Sequence, residues 1–384
     1  MSFTETRIGD VLTLQRGFDI TKAEQTEGEI PIVSSSGTSS FHNRWKVAGP
    51  GIVIGRKGTL GTTHFLPSNF WPHDTTLWVK DFKGNDSKFL YYFLQTLHLE
   101  NFDTGSSNPT LNRNHVHKIT VRFPALLATQ QKIAAILSAY DDLIANNQRR
   151  ITLLERMAED IYREWFVRLR FPGHKQVKIE KGVPEGWTPS TLGAVAEFTM
   201  GQSPSSEYFN ETGNGLPFHQ GVGSYGPRYP SHETFCSVAG RKAKPGDILF
   251  SVRAPVGRLN IADRELIIGR GLAAIRHKRG MNGYLLYLLK TTFASEDIIG
   301  NGSIFNSVGK DELARLGVFE PDALLVKKFE ALVQPVDKQI AALYQANASL
   351  KTTRDALLPR LISGKLAVDA LDIRFPPGMA SPAS

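Results

Sequence analysis

The sequence predicts an α+β protein in which two globular domains are separated by a pair of long antiparallel coiled-coil helices, with a pseudo-twofold internal repeat. Three observations support this fold class. Two long segments have a heptad spacing of apolar residues, a constant offset separates the two sets of apolar positions, and similar short strings precede each segment. A chain of 384 residues is also long enough for two or three domains.

The apolar seam of each long segment alternates steps of four and three residues, which keeps one helix face turned towards a partner helix. The offset of 196 between Ile133 and Phe329 recurs between Trp165 and Leu361, and duplication explains it. Each segment runs over about 35 residues, roughly 50 Å, and so outruns a small domain. The residues predicted to pair the helices are Ile133, Leu137, Tyr140, Ile144, Ile151, Leu154, Ile161, Phe329, Val333, Val336, Ile340, Leu343, Leu350 and Leu357.

Three other residues modify this helical prediction. Asn147 and Asn347 stand in the seams, where a buried amide fixes the register of two helices at a cost in stability. Pro359 lies near the end of the second segment and is expected to end or kink that helix.

Framework strings recur before the two helices, whereas the loops between them diverge, as expected for loops that carry recognition on a shared scaffold. The matched strings are Ile8–Gly17 with Leu192–Gly201, Pro50–Gly55 with Pro245–Phe250, and Ile119–Pro124 with Leu316–Pro321. The predicted boundaries are residues 1–127 for the first globular domain, 128–170 for the central helix, 171–188 for a linker, 189–323 for the second globular domain, 324–368 for the C-terminal helix and 369–384 for a tail.

Composition limits the class of protein. Lys and Arg number 45 against 37 Asp and Glu, which gives a formal charge of +8 and favours a polyanionic partner such as nucleic acid. Cys236 is the one cysteine, so the chain forms no internal disulfide and no cysteine-rich zinc site. The polar start of the chain and its short apolar runs indicate no signal peptide and no membrane span, and a cytoplasmic location is expected.

A search for catalytic motifs predicts neither a catalytic site nor a metal site. The chain contains no Asn/Asp-Pro-Pro-aromatic loop of the kind that grips a flipped adenine, since Asn108 is followed by only one proline. Its glycine-rich strings do not stand at a clear strand-to-helix turn. His115 and His117 form a His-x-His pair, but further ligands for a metal are missing from the sequence.

Basic and small polar residues in the predicted loops are better candidates for DNA contact. Arginine and lysine neutralise phosphates, and arginine also binds guanine edges, while amides and hydroxyls bind bases or phosphates. The candidate DNA-binding residues are Arg16, Lys22, Ser34, Ser35, Ser36, Arg44, Arg56, Lys57, Asn108, Arg113, Gln202, Gln220, Tyr225, Arg228, Tyr229, Arg253, Arg258, Arg270 and Asn306.

The chain resembles the specificity (S) subunits of type I restriction-modification systems over nearly its whole length. The strings that carry the resemblance are Gly51–Gly61, Gln130–Ala134, Pro184–Trp187, Gly246–Gly257, Ile268–Ala273 and Leu357–Lys365. The two copies differ before their helices, where Gln130-Gln-Lys-Ile133 in the first is replaced by Val326-Lys-Lys-Phe329 in the second.

This resemblance implies a non-catalytic subunit with two target-recognition domains, each of which reads one half of an asymmetric bipartite target in double-stranded DNA. The paired helices are then a ruler that fixes the gap between the half-sites. Two methyltransferase (M) subunits and the restriction (R) subunits are the implied partners. S-adenosylmethionine, ATP and Mg²⁺ are expected in those partners, and no cofactor is expected in this chain.

Three alternatives stay open at the level of sequence. The first is a stand-alone DNA methyltransferase or nuclease, and the second is the specificity subunit of a type IIB/IIG-like system. The third is a scaffold that binds protein partners through its helices and does not bind DNA.

Overall fold

The computed structural model describes residues 3–102, 110–293 and 307–376. The chain divides into two compact units. Unit 1 comprises residues 1–149 and 343–384, and unit 2 comprises residues 150–342. Each unit therefore combines one globular part with portions of both long helices.

Unit 1 is built from short strands and a few helices. Its strands are β1 (Phe3–Arg7), β2 (Thr13–Arg16), β3 (Ile30–Ser34), β4 (Gly37–His42), β5 (Gly51–Gly55), β6 (Thr63–Leu66), β7 (Trp71–Pro72), β8 (Thr76–Asp81) and β9 (Thr120–Pro124). Its helices are α1 (Ile8–Val11), α2 (Ser87–Gln95), α3 (Arg113–Lys118) and the first part of α4 (Leu127–Tyr162).

The sheets of unit 1 enclose an apolar core. Strands β2, β8, β5 and β6 form an antiparallel sheet in that order, β4, β3 and β7 form a second sheet, and β1 pairs with β9. Asp86 caps the start of helix α2, since its carboxylate accepts the Phe89 N–H at 2.8 Å. Phe89 and Phe93 are one turn apart, and both rings pack edge-on against Phe123 of β9.

Unit 2 has a longer series of strands. They are β10 (Ile179–Glu180), β11 (Val183–Pro184), β12 (Thr188–Thr191), β13 (Ala196–Met200), β14 (Phe209–Asn210), β15 (Leu216–His219), β16 (Phe235–Cys236), β17 (Lys242–Ala243), β18 (Ile248–Ser251), β19 (Leu259–Ile261), β20 (Leu266–Ile268), β21 (Leu272–His277) and β22 (Gly317–Glu320). Its helices are the end of α4, α5 (Leu192–Val195), α6 (Asn282–Thr292), α7 (Lys310–Arg315) and the first part of α8 (Ala323–Ile362).

The internal repeat is confirmed, because the two units share one pairing scheme. Strands β13, β21, β18 and β19 form the counterpart of the β2-β8-β5-β6 sheet, and β12 pairs with β22 as β1 pairs with β9. Equivalent hydrogen bonds follow: the Gly17 N–H donates to Thr76 O at 3.0 Å, and the Gly201 N–H donates to Leu272 O at 2.9 Å.

The structure corrects one of the three framework matches by a single residue. The Gly61 N–H donates to Gly55 O at 2.9 Å, and the Gly257 N–H donates to Ser251 O at 3.1 Å. Gly55 is therefore equivalent to Ser251 and not to Phe250. The turn that follows the matched proline is one residue longer in unit 2, which the sequence alignment did not allow for.

In unit 1, α4 and α8 run antiparallel. The Asn147 Nδ2 donates to the Asn347 Oδ1 at 2.9 Å, and further towards the start of α4 Asp141 accepts from Arg354 at 2.5 Å. The residue numbers rise along one helix as they fall along the other, as the antiparallel prediction requires. Both seam asparagines are buried, and each satisfies the other's amide.

In unit 2, the end of α4 packs on the start of α8 through aromatic rings. Phe329 of α8 contacts Tyr162, Trp165 and Phe166 with ring centroids 5.3 to 6.0 Å apart. This arrangement is also antiparallel. Every residue predicted to pair the helices, in both units, is buried or half-buried.

Neither long helix is a regular α-helix that stops at its last seam residue or at a proline. After Tyr162, helix α4 continues into a π-helical turn, Arg163–Val167. Helix α8 passes through Pro359 and ends three residues later at Ile362, so the proline precedes the helix end by almost one turn. Pro335 also lies inside α8, where it removes one backbone hydrogen bond.

The segments expected to be a linker and a tail contain packed residues. Within residues 171–188, β10 and β11 form a hairpin, and the ring of Phe171 lies 6.0 Å from that of Trp187. In the tail, Asp369 accepts from the Thr129 hydroxyl at 2.8 Å. Val368, predicted as the last residue of the C-terminal helix, lies beyond the end of α8 and is fully buried. Among the described residues, no helix is both long and apolar enough for a membrane span.

Candidate functional site

An open concavity of about 520 Å³ in unit 1 is lined mainly by basic and polar side chains. Arg16, Arg56 and Arg113 all line it, and these are three of the candidates predicted from sequence. The other lining residues are Leu77, Thr110, Leu111, Asn112 and His115.

The pairing of three strands explains why these arginines converge. Arg16 is the last residue of β2 and lies opposite Leu77 of β8, while Arg56 directly follows β5 on the other side of β8. Two strands that end against the start of the same third strand deliver their final side chains to one edge of the sheet. Arg113 arrives from another direction as the first residue of α3, which Asn112 caps by accepting the Asn114 N–H at 2.9 Å.

The concavity carries an excess of positive charge. Asp74 accepts from Arg16 at 2.8 Å, and its backbone carbonyl accepts from Arg56 at 3.4 Å. Partial burial lowers the pKa of Arg56, and the nearby charge of Arg16 lowers it further, while Asp74 acts in the opposite direction. One carboxylate thus faces two guanidinium groups, with Arg113 beside them, and such a cluster attracts an anion.

The His-x-His pair of α3 does not form a shared ligand site. His117 points into the fold, where its Nε2 accepts the Leu14 N–H at 2.9 Å, and burial lowers its pKa. His115 lines the concavity instead. The two imidazoles therefore lie in separate places, His117 bonded within the fold and His115 exposed in the concavity.

In unit 2, three exposed candidates lie on neighbouring segments: Gln202 follows β13, Gln220 follows β15 and Arg270 precedes β21. The Ser203 hydroxyl donates to the Gln220 Oε1 at 2.7 Å and accepts the Arg270 N–H at 3.2 Å. The Gly271 N–H donates to the Gln220 carbonyl at 3.1 Å. A guanidinium and two amides therefore share one surface in this unit, which we call the amide surface.

Glycines let the backbone segments below the amide surface approach each other. A Cβ on Gly201 would lie 2.0 Å from Gly269 O, and one on Gly271 would lie 2.4 Å from Gln220 O. Side chains at either position would push the segments apart. The glycines around Arg270 are therefore required by close packing of the backbone under this surface.

Comparison with known proteins adds an independent observation. Residues 2–156 match the family model described as "Type I restriction modification DNA specificity domain". The chain is also 30% identical over 264 residues to the putative type I restriction enzyme MjaX specificity subunit of Methanocaldococcus jannaschii. The chain belongs to the family of type I restriction-modification specificity subunits.

A second curated relative and a solved structure are also type I specificity subunits. The match to the MjaX specificity subunit covers 67% of this chain and 62% of that protein, which is less than two thirds of its length. The type I restriction enzyme MjaIX specificity subunit of the same organism is 26% identical, with 75% of this chain and 71% of that protein covered. The crystal structure of a type I S subunit from M. genitalium has a TM-score of 0.61 at 18% identity and covers 94% of this chain and 96% of that chain, which shows a shared fold.

Two candidate residues of unit 2 are turned away from its surface. The side chain of Arg228 is only 4% exposed and forms ion pairs with Glu155 of α4 at 3.2 Å and with Asp337 of α8 at 2.5 Å. Tyr225 packs on an apolar cluster, and its buried hydroxyl has no hydrogen-bond partner among the described residues. A buried, ion-paired arginine is not available to phosphates, and Tyr225 packs on apolar side chains, so both residues stabilise the fold of unit 2. Tyr229 is half-buried beside the Arg228 guanidinium.

The serine string of unit 1 is likewise mostly structural. The Ser35 hydroxyl is buried and donates to Thr75 O at 2.6 Å, and the Ser34 hydroxyl donates to Gly37 O at 3.0 Å. Ser36 is exposed at the turn between β3 and β4. These hydroxyls hold the loop that passes beside the concavity.

The remaining candidates lie on surface turns. Arg253 and Arg258 are exposed in the turn after β18, and half-buried Lys57 lies in the equivalent turn after β5. Lys22 and Arg44 are exposed in unit 1, away from the concavity lining. Asn108 and Asn306 lie outside the described residues.

Sequence reasoning missed Asn112 and Ser203, and it listed His115 only as one of a pair. An asparagine directly before a short helix is a recognisable capping signal, and it marks Asn112 as the start of α3. No local signal marks Ser203, because its partners lie 17 and 67 residues away. Asp19, His73 and Asp74 also place potential ligand atoms within 4.8 Å of one another, but Asp74 already accepts from Arg16.

Proposed function

We propose that this chain is the non-catalytic DNA-recognition subunit of a type I restriction-modification complex. It binds an asymmetric bipartite target in double-stranded DNA and docks methyltransferase and restriction subunits. The observation that carries the proposal is one scaffold, present twice, with chemically different polar surfaces at equivalent positions.

A reversal of charge between equivalent positions supports the asymmetry of the target. The His73 N–H donates to Val33 O at 2.9 Å, and the Gly269 N–H donates to His219 O at 2.8 Å, so His73 is equivalent to Gly269. The next residue is acidic Asp74 in unit 1 and basic Arg270 in unit 2. Two surfaces that differ in charge at the same point of the fold favour different bases, since carboxylates accept from cytosine and arginines donate to guanine.

The paired helices support both the ruler and the docking parts of the proposal. The buried Asn147–Asn347 pair fixes one register, because sliding either helix leaves amides buried without partners. Apolar side chains also remain exposed on the helices, with Leu153 of α4 at 63% and Leu332 of α8 at 49%. Exposed apolar groups on a helix face favour docking of protein partners.

The test is co-expression of the full chain with the methyltransferase subunit of its own system, followed by mapping of methylated adenines in the host DNA. We expect methylation at a bipartite motif with two different half-sites, and none when this chain is omitted. DNA affinity of the complex should also fall steeply with salt, because basic side chains displace condensed counterions.

Two outcomes contradict the proposal. Methyl transfer from labelled S-adenosylmethionine by the purified chain alone means that the chain is itself an enzyme. DNA affinity that does not change between low and high salt means that the basic surfaces do not contact phosphates, which favours the scaffold alternative.

A further inference from the structure

A chain of hydrogen bonds closes the base of the loop formed by residues 220–231 in unit 2. His219 ends β15, just before this loop, and His232 directly follows it. The His219 Nε2 lies 3.1 Å from the His232 Nδ1, and the His219 Nδ1 lies 2.7 Å from the Ser224 hydroxyl. The His232 Nε2 lies 2.9 Å from a carboxylate oxygen of Asp263. We call these four residues the histidine relay.

The carboxylate at one end sets the direction of every hydrogen bond in the relay. Asp263 only accepts, so the His232 Nε2 donates to it and the His232 Nδ1 is left as an acceptor. The His219 Nε2 then donates to His232, and the His219 Nδ1 accepts from the Ser224 hydroxyl. All four groups are satisfied with both imidazoles neutral, so the relay is a single ordered unit.

The fold itself does not require a histidine at the centre of this relay. The parallel pairing of β3 with β7 places Val33 opposite Pro72, and that of β15 with β20 places His219 opposite Ile268. Val33 and His219 are therefore equivalent, and each is 1% exposed. Unit 1 has the apolar Val33 at this position, whereas unit 2 has His219, whose buried imidazole needs polar partners.

The relay lies directly beneath the amide surface. The His219 carbonyl accepts the Gly269 N–H at 2.8 Å, and the next residue, Gln220, accepts from the Gly271 N–H and from Ser203. The backbones of His219 and Gln220 therefore hold the two sides of the segment that carries Arg270. The His219 side chain is therefore linked to Gln220 and Arg270 through one peptide unit and two backbone hydrogen bonds.

We propose that His219 and His232 are positioning residues for DNA recognition, and that the histidine relay sets which bases the amide surface of unit 2 accepts. This inference rests on the proposed function. The His219 imidazole is buried and the His232 imidazole is half-buried. Their role is to fix the geometry of Gln220 and Arg270 and not to bind bases themselves. Hydrogen-bonding groups that read base edges need such fixed geometry, because a loosened amide pairs with more than one base.

The test uses the full chain co-expressed with its methyltransferase partner and a map of methylated adenines. His219→Val places in unit 2 the residue that unit 1 uses at the same point, and His232→Gln changes the outer imidazole. We expect the half-site read by unit 2 to relax, with methylation at single-mismatch sites in that half rising about fivefold relative to the full motif. The other half-site and the spacer should stay as in the wild type. His277→Gln is the matched control, since His277 is a buried histidine of unit 2 outside the relay.

Three other outcomes would contradict either the role of the relay or the proposed function. An unchanged motif in both relay variants overturns the inference. If His219→Val does not fold, the result for His232→Gln decides alone. If both variants lose all methylation and also have a lower melting temperature, the relay is merely structural and the inference is overturned. A wild-type complex without a bipartite motif contradicts the proposed function instead, whatever the variants do.

Discussion

Two aspartates at equivalent positions of the long helices are each held by an arginine that comes from a different element. Asp141 and Asp337 each follow a matched seam residue by one position. Arg354 of the partner helix binds Asp141, whereas Arg228, from a loop of the globular part, binds Asp337. In unit 2 this arginine therefore fastens the globular part to the helices, which explains why a residue predicted to face DNA is buried.

Replacing Arg228 by methionine is expected to destabilise unit 2. The change leaves Glu155 and Asp337 close together without their shared cation, and burial already raises the pKa of Asp337. Breaking a buried ion pair from one side costs about 3–5 kcal/mol. Urea unfolding of the full chain measures the loss, and the double variant Arg228→Met with Asp337→Asn should recover part of it. Equal stability of the single variant and the wild type would show that the ion pair contributes nothing.

His219 should make the stability of unit 2 depend on pH. Burial, with a further contribution from His232, lowers the pKa of His219 to about 4, against 6.5 for the ordinary side chain. The fold therefore favours the neutral imidazole, so stability is highest above pH 6.5 and falls as the pH drops from 6.5 towards 4. The groups that face this imidazole are Ser224 and His232, with Asp263 beyond and Arg264 against that carboxylate.

The comparison that checks this dependence is the melting temperature of the full chain at pH 7.5 and at pH 5. The wild type should lose stability over this interval, and His219→Val should lose less of it. His277→Gln is the control for general histidine titration, because burial lowers the pKa of His277 as well. A loss of the same size in His219→Val and the wild type would assign the effect to other groups.

At the scale of the element, the helices were predictable from the sequence, and the polar surfaces of the two units were not. The seam from Ile133 to Trp165 depends on spacing along one helix, which is a local property of the sequence. The concavity depends on Arg16 and Arg56 meeting at β8, and no local pattern records which strands pair. Residue type alone therefore could not separate Arg56, which lines the concavity, from Arg228, which is buried in an ion pair.

The asparagine pair offers a test of register at this scale. Asn147→Leu leaves the Asn347 amide buried with only a 3.4 Å contact to Ile144 O, which should cost about 1–3 kcal/mol. Replacing both asparagines by leucine should restore or raise stability, because apolar groups then face each other. Asn146→Leu is the matched control at the neighbouring exposed position. Urea unfolding compares the four proteins, and a single variant as stable as Asn146→Leu would mean that the amide pair is not needed.

At the scale of the whole molecule, packing constrains the residues of the scaffold, whereas the exposed polar residues are not constrained in this way. Both copies form the same sheet and the same helix pair, so they share apolar seam positions such as Ile133 and Phe329 and packing glycines such as Gly17 and Gly201. The polar surfaces are free of that constraint, and they have diverged to the point that Asp74 in one unit is matched by Arg270 in the other. The proposed function therefore predicts that changes in the loops alter the DNA target and that changes in helix length alter the spacing.

The length of the helices is therefore expected to set the gap between the half-sites independently of the bases read. Removing residues 144–150 from α4 and 344–350 from α8 takes one heptad from each helix around the asparagine pair and keeps both seams facing each other. Seven residues correspond to about 10 Å of helix, or about three base pairs at 3.4 Å each. Maps of methylated adenines should show a spacer shorter by about that amount with both half-sites unchanged. The double leucine variant, which keeps the full length, should retain the wild-type spacer, whereas new half-sites in the shortened protein would mean that the helices help to select bases and do not act as a ruler.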